Sequence, residues 1–103
     1  MYRNRREFEE LRKAIKLKGL PEYAQIQLEL LEIALRKLAA MAVDHPDETR
    51  TLVDIQKYST NVLQAVRASN VRGLRIPDAL HTFRKTSLYQ PLLVRHLALE
   101  IAT

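Results

Sequence analysis

Apolar residues recur along this chain at helical spacing, in blocks separated by short polar stretches. Phe8, Leu11 and Ile15 make one face of a first block, and Arg5, Arg6, Arg12, Lys13 and Lys16 cover the rest. Asn4 with Glu7 three residues on reads as a capping box, and Lys16, Lys18 and Gly19 suit a helix C-terminus. The pattern predicts a helix over 5–18. Pro21 fits the first turn of a second helix ending near Val43. There Leu28, Leu31, Leu35 and Leu38 form one stripe, with Ile26, Leu30, Ile33 and Ala34 beside it. Glu22, Gln25, Glu29, Glu32 and Arg36 leave only a narrow polar strip, with Glu32 and Arg36 placed as an i,i+4 pair. Apolar cover this wide predicts a central helix.

Pro46 stands at the N1 position of a third helix, followed by Asp47 and Glu48 in its first turn. Leu52, Ile55, Val62 and Val66 point inward on it, flanked by Tyr58 and Leu63, and Ser69 and Asn70 end it before Gly73. Pro77 and Asp78 open a short fourth helix with Leu80 and Phe83 on its core side, beside Ile76. Gln90 as cap and Pro91 at N1 open a fifth, reaching about Ala102 and burying Leu93, Val94, Leu97, Ala98 and Ile101. No strand alternation and no internal repeat is present. The expected fold is all-α, one domain over residues 1–103 built as a bundle of four or five helices.

Composition narrows the possibilities. The chain has no cysteine, which excludes disulfides and thiolate metal sites and points to the cytoplasm. No apolar run reaches the roughly 18 residues of a membrane span, so no membrane partner is expected. The charged start MYRNRREFEE leads into no apolar segment and does not read as a signal peptide.

Catalytic signatures are missing. His45, His81 and His96 fall on separate elements with no metal-ligand spacing: His45 reads as a helix-boundary residue, and His96 as a local partner of Glu100. Glu29 and Glu32 share a solvated strip. Two glycines leave little material for a phosphate-cradling loop. The aromatics are scattered, and Phe8 and Phe83 lie in core stripes. The sequence therefore predicts a protein that is not an enzyme and has no cofactor or metal.

Charge carries the remaining signal. Lys and Arg number 17 against 12 Asp and Glu, for a net charge of +5. The stretch RASNVRGLRIPDALHTFRK holds Arg67, Arg72, Arg75, Arg84 and Lys85, and the first helix adds Arg12 and Lys16. These seven are the candidate nucleic-acid-binding residues, because guanidinium and ammonium groups complement backbone phosphates. Arg67, Arg84 and Lys85 also suit helix C-termini, whereas helix rules do not require Arg72 and Arg75 beside Gly73. If the short fourth helix folds back, the basic residues of this stretch share one rim.

A small, basic, cysteine-free helical bundle with these arginines and a lysine-bearing first helix resembles the small helical subunits of CRISPR Cascade-type effector complexes. That resemblance implies a non-catalytic subunit whose copies line a larger assembly and hold a nucleic-acid strand. The alternative is a protein-interaction or oligomerisation module with an acidic partner. Its support is the nearly all-round apolar character of QPLLVRHLALEIAT.

Overall fold

Five helices make up the regular structure of the computed structural model, which describes residues 2–102: α1 (Arg3–Leu17), α2 (Glu22–Ala40), α3 (Glu48–Ser69), α4 (Asp78–Thr86) and α5 (Pro91–Ala102). The all-α bundle expected from the pattern is the fold observed.

Each break has a local cause. At the end of α1, Gly19 takes φ 64°, its N–H donates to Lys16 O, and Leu20 N–H donates to Ile15 O. This is a Schellman motif, and the buried side chains of Ile15 and Leu20 supply the apolar contact that accompanies it. α3 stops where Asn70 turns left-handed at φ 54°, a conformation asparagine tolerates better than most residues. Pro91 is the first residue of α5, where its missing N–H costs nothing.

Four boundary details differ from the sequence reading. The Asn4–Glu7 capping box does not form, because α1 begins at Arg3 and both residues lie inside it. The Asn4 amide instead donates to Glu100 of α5, and Glu7 turns to Arg3 and Arg75. Pro21 is the cap of α2 rather than a residue of its first turn. α2 ends at Ala40, short of Val43, as Met41 goes extended at ψ 153°. Pro46 precedes α3 in a turn and is not its N1 residue. In that turn Asp47 N–H donates to His45 Nδ1 at 3.0 Å, so His45 does serve the boundary.

α2 is the centre of the bundle and packs against α3, α5 and α1. Leu28, Leu31, Leu35 and Leu38 are all buried, as their spacing predicts. The neighbouring stripe is only partly covered: Ala34 is buried and Leu30 half-buried, but Ile26 and Ile33 remain on the surface. α3 meets α2 with Leu52, Ile55, Val62, Leu63 and Val66. α4 lays Leu80 and Phe83 into the core, where the Phe83 ring meets Phe8 at 6.4 Å between centroids and a 54° tilt. α5 buries Val94, Ala98 and Ile101. Leu97 is half-buried, and Leu93 is exposed rather than buried as its spacing predicted.

Arg95 closes the joint between α2, α3 and α5. Its guanidinium donates to the carbonyls of Leu38, Met41 and Ala42, and to Glu48 Oε2 at 2.6 Å. Arg95 and Glu48 are largely buried, with 13% and 15% of their side chains exposed. One guanidinium thus satisfies the open carbonyl end of α2 and an acid in the first turn of α3.

Candidate nucleic-acid interface

The basic residues of the 67–85 stretch do not share one rim. Arg84 lies where its carbonyl accepts a hydrogen bond from Gln56 Nε2 of α3 at 3.0 Å. Gln56 is eleven residues before Arg67 on the same helix, about 16 Å along the axis at 1.5 Å per residue. Arg84 and exposed Lys85 therefore belong to the middle of the bundle, and Arg67 and Arg72 to its end. The Arg84 Nε is buried with no hydrogen-bond partner among the described residues.

Arg75 has a structural partner that the sequence did not reveal. Its guanidinium approaches Glu7 Oε1 at 3.7 Å, and the same oxygen accepts from Arg3 Nε at 2.9 Å. Glu7 is only 6% exposed. A buried carboxylate needs cationic partners, and these two supply them. The hydrogen bond and charge of Glu7 hold the Arg3 guanidinium above its ordinary pKa. Arg75 remains largely exposed, but part of its role is to hold the 71–77 segment to α1.

Arg12 is likewise engaged. It forks onto Glu32 of α2, Nη2 to Oε2 at 2.7 Å and Nε to Oε1 at 3.3 Å. Glu32 thus pairs across helices, not with Arg36 on its own. Lys16 is exposed and stands on the same flank of α1, beside Glu29. At 100° per residue, that flank is well separated from the one bearing Glu7 and Lys18.

The end of α1 meets the loop that carries Arg72. Lys18 Nζ donates to the carbonyl of Arg72 at 3.2 Å, joining the end of α1 to the loop that follows α3. Arg67 occupies the last turn of α3, and Gly73 carries the loop past Lys18 at φ 76°. Lys18, Arg67 and Arg72 are all exposed, and none is ion-paired to a described carboxylate. In the sequence Lys18 reads as a helix-end cation and as one of the basic residues of the first helix, without being among the seven candidates. The glycine after it was the available clue, since a Schellman end brings the chain round at that point.

Histidines and carboxylates make no second centre. His96 Nε2 lies 3.2 Å from Glu100 Oε1, the local pairing expected from spacing. Among the described residues no group of three or more His, Asp or Glu side chains gathers as a metal site, and no helix is long and apolar enough to cross a membrane.

No family of known proteins, no curated protein and no solved structure matches this chain.

Proposed function

We propose that this protein binds the backbone of a nucleic acid at the Lys18–Arg67–Arg72 end of the bundle, as a non-catalytic subunit of a larger nucleoprotein assembly. The observation that carries the reading is the meeting of Lys18 and Arg72. The Lys18 ammonium reaches the backbone of Arg72, and Arg67 stands in the last turn of the helix leading into that loop, with no acid paired to any of the three. Contacts of this kind attract and position phosphates and carry little sequence information. An assembly of the Cascade type is one setting in which such a subunit works.

A salt titration tests the reading. Affinity for DNA should fall linearly with salt on logarithmic axes, and Arg67→Glu with Arg72→Glu should remove most of the binding at low salt. Undiminished binding by the double variant would take this end out of the account.

A specific observation favours a second role in the same assembly. Leu88, Tyr89, Leu92 and Leu99 are exposed on and just before α5, Leu92 at 70%. An apolar surface of this kind suits a protein neighbour, and it stands apart from the basic end.

A further inference from the structure

Beside the basic end lies an apolar groove between the start of α2 and the end of α3. Pro21 and Tyr23 form one wall, and Ala65 and Ala68 line the α3 side with Gln64 and Ser69 at the edge. Its volume is about 350 Å³. The Tyr23 residue is 53% exposed, although it sits on the helix that centres the core.

We infer that this groove receives a nucleobase, so that the protein prefers single-stranded over duplex nucleic acid. The inference rests on the backbone-binding reading above and adds the kind of strand bound. Three observations choose this occupant over an apolar side chain of a protein partner. First, the groove is lined by small residues and one aromatic: Ala65 and Ala68 leave room for a flat ring, and Tyr23 supplies a ring on which a base can stack. Second, cations flank it on both chain paths. Lys18 is three residues before Pro21, Arg67 is one residue before Ala68, and Arg72 is three residues after Ser69. Third, the positive end of the α2 dipole opens at the same place. Glu22 is the one acid adjoining the groove in sequence, and it leaves the cations in excess.

An aromatic face beside a cationic track is the arrangement by which single strands are held without sequence readout. In a duplex the bases are stacked on one another and cannot enter such a groove. Gln64 adds an amide donor and acceptor at the edge, where the rim of a base would lie.

The test compares a labelled oligothymidylate with a duplex of equal length, at low salt, using the full chain. The unaltered protein should bind the single strand more tightly. Tyr23→Ala should weaken single-strand binding by about ten-fold while leaving duplex binding unchanged, and Tyr23→Phe should retain it. Ala68→Leu, which fills the groove at an exposed position and removes nothing, should reproduce the loss. Circular dichroism confirms that each variant is folded. Equal affinity for both nucleic acids, or no loss in Tyr23→Ala and Ala68→Leu, overturns the groove inference and leaves the backbone reading intact. No binding to either nucleic acid overturns both, and assigns the groove to a protein side chain.

Discussion

The ends of α1 and α2 solve the same problem in opposite ways. Every helix leaves carbonyls without partners at its C-terminus, and cations favour that end. At the end of α2 the chain goes extended at Met41, whose N–H makes a single tight turn onto Leu38 O, and the Arg95 side chain adds donors to Leu38 and Met41. That arginine is buried, paired with Glu48 and unavailable. At the end of α1, Gly19 and Leu20 close the helix with their own N–H groups. Lys18 is then free to reach the loop at Arg72. Asn70 ends α3 with a left-handed turn of its own, and Arg67 stays exposed. At the end of α2 the arginine that completes the cap is buried, whereas beside the Schellman end of α1 and the left-handed end of α3 the cations stay exposed. Charge position alone does not distinguish the two cases.

The contrast can be broken at several points. Arg95→Ala should have the largest effect on stability, lowering the unfolding free energy by about 3 kcal/mol, because it removes the charged partner of a largely buried carboxylate and the donor to the Met41 carbonyl. Arg95→Lys should recover only part, since one ammonium cannot fork to all four acceptors. A loss under about 1 kcal/mol in urea titration would show that the clamp is incidental. Gly19→Ala comes next. No atom crowds the added methyl, so the cost is backbone strain at positive φ, about 1.5 kcal/mol. If that variant is as stable as the parent, the Schellman closure is not what holds this end.

Smaller effects sharpen the picture. Glu7→Gln keeps an acceptor for Arg3 but removes the charge that holds Arg75, at a cost of about 1 kcal/mol. It should also strengthen binding to DNA, because Arg75 is released; weaker binding would mean that Arg75 must be held by Glu7 to act. Smallest of all is the stability change in Arg67→Glu with Arg72→Glu, within about 0.5 kcal/mol in thermal melts. A larger loss would show that these two arginines support the fold itself.

Much of the architecture was legible because its signals are local. Gly19, Asn70, Pro77 and Pro91 mark boundaries through backbone preferences that need no tertiary information, and the Leu28–Leu38 stripe follows from period alone. What was not legible depends on partners far away in the chain. Asn4 and Glu7 have the spacing of a capping box, yet Asn4 bonds Glu100 in a distant segment, and Glu7 bonds Arg3 in its own helix and pairs with distant Arg75. Ile26 and Ile33 fit the apolar pattern of a covered helix, but no neighbour packs over that flank of α2 closely enough to bury them. Of the seven basic residues, sequence proximity grouped Arg84 and Lys85 with Arg72, and the length of α3 separates them. Arg12 is committed to Glu32, a pairing that appears only once α1 lies on α2. Tyr23 gave no signal because a stacking ring is defined by what stands beside it.

The bond from Asn4 to Glu100 has a consequence for how the chain comes into being. Of the five helices described, α1 is made before the others and α5 after them, and these two pack together. During synthesis α2 and α3 can pair as soon as both have emerged, since they are joined by a short turn. The faces of Phe8, Leu11 and Ile15 are covered only in part by α2 until α4 and α5 have been made. The same holds for the clamp, because Arg95 arrives long after Leu38 and Met41. Closure of this core therefore waits on the arrival of α5, and α1 is the segment most in need of shelter before it.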